Sequence, residues 1–357
     1  MDARSNAVMT PRRTLSTPRA LAEAGLAAPE RLAALEAVAA RYAVAVTPDL
    51  AALIDPSDPA DPIARQFIPH EAELETAPEE LADPIGDSAH SPVPGVVRRY
   101  PDRALLMVTH LCATYCRFCF RRERVGPGGP PTLAGDALEA ALAYLASDPQ
   151  IWEVILTGGD PLILSPRRLA AVMERLGAIE HVKVVRIHTR VPVADPDLVT
   201  DEMISALKGA GKATYVALHA NHPRELTARA RAACARMIDA GLPMLSQTVL
   251  LRGVNDDAET LGALMRVFVE TRIKPYYLHH GDLAPGAAHF RTSIAEGQAL
   301  MRALRGRFSG LCQPTYVLDI PGGAGKVPVG PCYLSGEEDE SQVEDLEGAK
   351  RPYPPKA

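Results

Sequence analysis

What this 357-residue sequence has little of sets the first bounds on it. Six cysteines in a chain of that length are too sparse for a disulfide scaffold, and in a reducing compartment they remain thiols available to a metal. Positive charge is not in excess: 38 Lys and Arg face 44 Asp and Glu, a net charge of −6. That balance argues against nucleic acid or an anionic membrane surface as the main partner, because phosphate groups want a basic face. Long apolar runs are missing too. No segment approaches the roughly 18 residues a membrane span requires, and the opening text MDARSNAVMTPRRTLSTPRA has no apolar centre of a secretory signal. The expectation is a cytoplasmic protein that handles small molecules or other proteins.

With 47% hydrophobic and 23% charged residues, the chain has the composition of a globular protein with a large core. It exceeds the usual domain size of about 100–200 residues, which α/β barrels routinely do as one unit. Residues 17–42 read as helical, with Thr17 as N-cap, Pro18 at the first helical position and Leu32, Leu35, Val38 and Ala39 at helical spacing. Residues 48–101 are dense in proline and acid, which predicts an extended, irregular wrap around a core rather than a core of its own. This first region, 1–100, ends in the cationic text Arg98-Arg99-Tyr100-Pro101-Asp102-Arg103.

Over 101–335 an apolar strand pattern alternates with an amphipathic helical one, which predicts βα units and a parallel sheet. Strands are expected near 104–109, 152–157, 182–188, 213–218, 243–250, 273–278 and 314–319. Helices are expected near 133–147, 166–177, 200–209, 224–240, 257–271 and 293–306. Six repeats predict an α/β fold, a partial (β/α)6 TIM-like barrel, with a doubly wound open sheet as the alternative. The acidic, polar tail 336–357 is expected to be disordered.

The unusual polar residues fall in register on these strands. Cys112, Cys116 and Cys119 follow the first; Gly158, Gly159 and Asp160 the second; His188, Thr189 and Arg190 the third. His219, Asn221 and His222 follow the fourth, Gln247 and Arg252 lie late in or after the fifth, and His279, His280 and Asp282 follow the sixth. All are at carboxyl ends of strands, the catalytic face of a parallel barrel. One such placement is what any loop collects; six together predict a site. The triplet Cys112-x3-Cys116-x2-Cys119 has no fourth cysteine nearby, since Cys234, Cys312 and Cys332 are scattered. A structural zinc site normally shows four ligands, whereas three thiolates suit a four-iron cluster with one iron left open.

Gly322-Gly323-Ala324-Gly325-Lys326 looks superficially like a phosphate loop, but Val327 stands where a hydroxyl should meet magnesium and no helical pattern follows. A lysine on a flexible glycine run suits a Schiff-base lysine instead; the plainer alternative is a solvated lysine in a turn.

At these residues the chain resembles a known family. The cysteine triplet after a first barrel strand, with GGDP after the second, resembles the radical S-adenosylmethionine (SAM) enzymes. The wider text RRYPDR, YCRFCFRR, LTGGDPL, LHANHP, LLRGVND, KPYYLHHGD, HFRT and LDIPGGAGK is similar, in order over about residues 45–335, to the lysine 2,3-aminomutase family. The resemblance implies that Cys112, Cys116 and Cys119 ligate a [4Fe–4S] cluster and that SAM chelates its open iron. It implies that Gly158, Gly159, Asp160, His219 and Gln247 lie against SAM. Lys326 would hold pyridoxal 5′-phosphate (PLP), with Arg99, Tyr100 and Arg103 around its phosphate, so that 1–100 supplies part of that site and 101–335 carries the lysine. Arg121 would pair the substrate carboxylate, and Asp282 and Asp319 the substrate's terminal ammonium.

The implied reaction is migration of an amino group from C2 to C3, lysine to β-lysine. Two carboxylates facing a third charge of the same sign would be severely unfavourable, so lysine is favoured over glutamate and arginine stays open. An aminomutase for another amino acid, or a radical SAM enzyme that does without PLP, is the alternative reading. Longer members of the family carry additional cysteines for a structural zinc; here the tail has none and the matching loop position is Asp257, so no zinc is expected. The resemblance further implies a reductant such as flavodoxin or ferredoxin and a homo-oligomer. Short zinc-free relatives supply β-lysine for elongation factor P, which makes a link to an elongation factor P ligase one of two destinations, free lysine metabolism being the other.

Overall fold

The structure, a computed structural model, describes residues 13–126, 132–336 and 341–355. Its centre is a nine-stranded sheet in chain order: β1 (Val96–Tyr100), β2 (Arg103–Thr109), β3 (Glu153–Gly158), β4 (Val184–Thr189), β5 (Ala213–His219), β6 (Met244–Val249), β7 (Ile273–His279), β8 (Thr315–Ile320) and β9 (Gly325–Pro328). Strands β2 to β8 run parallel, while β1 and β9 close the two ends as antiparallel neighbours. The expected strands and barrel-like curl are present. The helices between the parallel strands are Gly135–Ser147, Pro166–Gly177, Asp201–Lys208, Ala228–Asp239, Ala258–Glu270 and Ile294–Arg307. Four of them begin where a hydroxyl caps the first turn: Ser165, Thr200, Thr227 and Ser293, the last in a reciprocal capping box with Glu296.

The period of two along each strand separates two environments. Val154 and Leu156, Val185 and Ile187, and Val216 and Leu218 pack outward under the helices, in the large hydrophobic core. Ile155 and Thr157, Arg186 and His188, Tyr215 and His219, and Leu245 and Gln247 point the other way and line a cavity of about 900 Å³. A parallel barrel is normally filled by layers of branched apolar side chains. Here the inward positions are largely polar, and the interior is hollow.

Four expectations are corrected. The helical run 17–42 is two helices, Pro18–Glu23 and Leu32–Arg41, because Gly25 turns the chain at φ 74° and Pro29 restarts it. The proline-rich region also builds a small core of its own, in which Leu21, Val46, Leu50, Ile63 and Phe67 are fully buried against Ala194. Its prolines open the short helices Pro48–Ala51 and Pro62–Phe67, capped by Thr47 and Asp61. The cationic text 98–103 contributes β1, and the glycine–lysine run leads into β9 rather than a flexible loop.

The tail is not disordered over 341–355: β10 (Leu334–Ser335), β11 (Gln342–Glu344) and β12 (Lys350–Pro352) form an antiparallel sheet. Within the described part of it, Glu344 pairs with Arg302 at 3.1 Å and Asp345 with Arg351 at 2.8 Å, which offsets part of the self-repulsion that acidic composition suggests. Among the described residues no helix is long and apolar enough to cross a membrane.

Candidate active site

The loop after β2 carries Cys112, Cys116 and Cys119, all three as free cysteines lining the cavity that also holds Asp319 and Lys326. The N-terminal wrap holds this loop. Thr114 Oγ1 and the Tyr115 amide both donate to Ala45 O, at 2.7 and 3.2 Å, and the Arg117 amide donates to Gln66 O at 2.9 Å. Beneath them Arg117 and Arg122 converge on the fully buried carboxylate of Glu73, Arg117 through Nε at 3.0 Å.

Burial pushes the Cys116 thiol up to about 11 and raises Cys112 and Cys119 as well, so without a metal these are neutral thiols. A cluster would supply the positive charge that thiolates need in such a place. Among the described residues no three His, Cys, Asp or Glu side chains are grouped to hold a metal ion between them. Three thiol donors on one short loop that lines a large cavity fit a four-iron cluster, which takes one thiolate on each of three irons.

Gly158 and Gly159 are required by the approach of β3 to the root of that loop. A Cβ at Gly159 would lie 2.6 Å from Leu111 C and 2.7 Å from Leu111 N, and closer still to the carbonyl oxygen. Gly158 has φ 107°, and a Cβ there would meet Met107 at 2.9 Å. The amides of Gly159 and Asp160 donate to Thr109 O and Leu111 O at 2.6 and 2.8 Å.

The Asp160 carboxylate is fully engaged within the protein. It accepts from Thr189 Oγ1 and the Arg190 amide, both at 2.7 Å, from Leu162 N at 3.0 Å and from Val191 N at 3.2 Å. Its part in the site is therefore to clamp the end of β4, and only its backbone is left to meet a ligand. His219 lies in the cavity with a buried Nε2 that has no hydrogen-bond partner, and burial holds its pKa well below the usual value. Gln247 donates its amide to His188 Nε2 at 3.2 Å, so two further cavity side chains are linked.

In the same cavity Lys326 stands directly across from Asp319 in the β8–β9 register. Its Nζ forms an ion pair with Asp319 and is 3.1 Å from His279 Nδ1, while its backbone amide donates to the Tyr100 hydroxyl at 2.7 Å. Arg99 reaches Asp319 at 3.4 Å, and the Arg103 guanidinium lies over the Tyr100 ring at 3.6 Å. A reactive amine with two arginines and a phenol beside it is a donor set that fits PLP, an aldehyde bearing a phosphate.

Burial and the neighbouring Asp319 push Asp282 up to about 7. Burial also acts on Asp319, but the His279 ring 3.8 Å away and the Lys326 ammonium outweigh it and hold Asp319 well below the ordinary range. Arg121 is buried and already held by Asp87, Nε to Oδ2 at 2.7 Å, and by Thr157 at 3.4 Å. Every residue that the resemblance assigns to the site lines this one cavity. Four other strand-end residues do not: Asn221 bonds Gln66 at 3.0 Å, His222 accepts from the Arg224 amide at 3.2 Å, Arg252 pairs with Glu296 at 3.1 Å and His280 bonds the Tyr316 hydroxyl at 2.7 Å. Asp87 as the partner of Arg121, and His188 and His279 as cavity groups bonded to Gln247 and Lys326, were not distinguished from other polar residues. For the two histidines the strand-end position was the available signal; for Asp87, in the proline-rich wrap, there was none.

Residues 106–264 match the radical SAM superfamily, and residues 301–356 match the family described as lysine-2,3-aminomutase. The fold and the cysteine loop therefore define a radical SAM enzyme, with the [4Fe–4S] cluster and SAM that this class uses. The chain is 41% identical over 309 residues to L-lysine 2,3-aminomutase of Clostridium subterminale, covering 86% of this chain and 74% of that one. It is 40% identical, with the same coverages, to the L-lysine 2,3-aminomutase of Acetoanaerobium sticklandii. It is also 38% identical over 289 residues to glutamate 2,3-aminomutase of Clostridioides difficile, covering 81% and 68%. The chain belongs to the lysine 2,3-aminomutase family and is an aminomutase, an isomerase.

Proposed function

We propose that this aminomutase acts on L-lysine and produces β-lysine, with PLP carried by Lys326. The observation that carries the reading is the pair Asp282 and Asp319, which line the same cavity as the cysteine loop and both act on Lys326. A substrate with a terminal cation restores the charge that Asp282 lacks when burial and Asp319 keep it near half-protonated at pH 7. Arg121, set in place by Asp87 and Thr157, offers its guanidinium to the substrate carboxylate. Arg99, Tyr100 and Arg103 would take the cofactor phosphate, and the buried His219 Nε2 and the Gln247 amide would face SAM. When bound, PLP supplies an extended π system that spreads the unpaired electron of the migrating group, and the cluster with SAM supplies the hydrogen-abstracting radical.

The wider setting proposed is cytoplasmic, with flavodoxin or ferredoxin as electron donor and a homo-oligomer as the working form. β-Lysine would go either to free metabolism or to elongation factor P. Because a glutamate 2,3-aminomutase is nearly as similar as the lysine enzymes, identity alone does not choose the substrate. The test is anaerobic reconstitution with iron, sulfide, SAM, PLP and reductant, with L-lysine, L-arginine and L-glutamate offered separately and products separated by chiral chromatography. β-Lysine alone is expected; conversion of glutamate or arginine with lysine untouched would overturn the carboxylate argument.

A further inference from the structure

Lys326 Nζ is held between two side chains that differ in what they can do. Asp319, across the β8–β9 pair, is an anion kept strongly acidic by the Lys326 ammonium and the His279 ring beside it, which makes it a poor proton acceptor. His279, the last residue of β7, presents Nδ1 at 3.1 Å. An ammonium has only donors, so this contact makes Nδ1 the acceptor and leaves the ring proton on Nε2. His279 Nδ1 is also 3.8 Å from Asp319 Oδ2.

We propose that His279 is the general base for Lys326, taking a proton from Nζ so that the amine can attack the PLP aldehyde, and returning it when a substrate amine displaces the lysine. This rests on Lys326 being the PLP lysine. In the first step the Nζ–H bond breaks, an Nδ1–H bond forms, and the electron pair stays on Nζ. The C–N bond then forms, the aldehyde C–O bond breaks, and the oxygen leaves as water with the two hydrogens that remained on Nζ.

The charges of the buried trio make the transfer feasible. Before it, an ammonium and a carboxylate face a neutral imidazole; after it, an imidazolium and a carboxylate face a neutral amine, with the same net charge. Burial, followed by the Lys326 cation, holds His279 down to about 4. The second cause disappears as soon as the proton leaves Nζ, while Asp319 stays to stabilise the imidazolium, so the two sites titrate as a pair. The remaining groups that face His279 are the Tyr277 ring at 5.6 Å on its own strand, and His188 and His219 on β4 and β5. Both histidines are held neutral by burial.

The test uses the full chain in two arms. In the first, PLP is added to wild type, His279→Asn and His279→Gln, and its capture on Lys326 by borohydride is timed by peptide mass spectrometry. In the second, without PLP, acetic anhydride competes for Lys326 and a reference amine across pH. Either variant retains an acceptor oxygen that cannot carry the proton. Capture should slow by about 10²-fold or more, the range typical of a general base, and added imidazole should restore part of the rate. The anhydride profile of Lys326 should also shift. Variants that capture PLP at the wild-type rate would show that His279 is not the base. Wild type that labels with anhydride but never captures PLP would sink the cofactor reading instead. A variant that fails to fold is replaced by the other, and imidazole rescue separates lost base from lost packing.

Discussion

Replacing Gly159 by alanine should unseat the cysteine loop. The new Cβ would lie 2.6 Å from Leu111 C, so ordinary van der Waals contact at 3.4 Å requires a shift of at least 0.8 Å in backbone, with no flexible side chain to yield. Forcing such a fit costs about 1–3 kcal/mol. Losing the Gly159–Thr109 and Asp160–Leu111 hydrogen bonds adds about 0.5–1.5 kcal/mol each, for a total of about 2–6 kcal/mol. Leu111 precedes Cys112, so the strain is relieved at the first ligand of the cluster, and a displacement near 1 Å can cost about 10²-fold in rate. The assay is iron and sulfide per chain after anaerobic reconstitution, 5′-deoxyadenosine release on reduction, and thermal unfolding. Gly330→Ala, where a Cβ meets nothing within 4 Å, serves as the control. A Gly159→Ala protein with wild-type melting temperature, full iron content and SAM cleavage within twofold of wild type would refute the reasoning.

Glu73→Gln should destabilise the fold by about 3–5 kcal/mol, because it leaves Arg117 and Arg122 buried without their anion. Burial opposes ionisation of Glu73, yet the two arginines outweigh it and lower its pKa. Its contribution is therefore complete at neutral pH and is lost as the solution is acidified below the ordinary glutamate value, which acid-unfolding curves of wild type and variant will compare. L-Lysine binding, followed by calorimetry without reductant, should weaken about tenfold per pH unit below 7 and level off above it. The cation has to expel the proton that Asp282 holds with its pKa raised to about 7, and Asp282→Asn should abolish this dependence. Lys326→Ala should keep its iron and lose the absorbance near 420 nm characteristic of PLP on lysine; retention of that band would show the cofactor sits elsewhere.

The barrel was legible because its signals are local. Apolar runs such as Val154–Leu156 alternate with helices that announce their starts, as Ser165-Pro166 does. Strand β1 escaped because its polar residues answer to partners outside the strand: Arg99 and Tyr100 face the cavity, and Arg98 pairs with Asp148. Strand β9 escaped because its glycines resemble a loop; a Cβ on Gly323 would strike His90, so the run is packed down rather than loose. The site residues were placed by resemblance. What composition and spacing could not supply is pairing at a distance. That Asp160 is satisfied by Thr189 and three amides, or that Asp87 waits 34 positions from Arg121, is known only once the chain has folded.

Strands β1 and β9 are the two free edges of the curled sheet, and among the described residues no backbone ladder joins them. They meet through Lys326 N on the Tyr100 hydroxyl, and through Arg99 on Asp319 of the neighbouring β8. The protein is thus a split ring whose clasp is made of the same side chains proposed to hold the cofactor. A molecule bound across that clasp would serve as a rivet, so cofactor occupancy and resistance to unfolding should rise together.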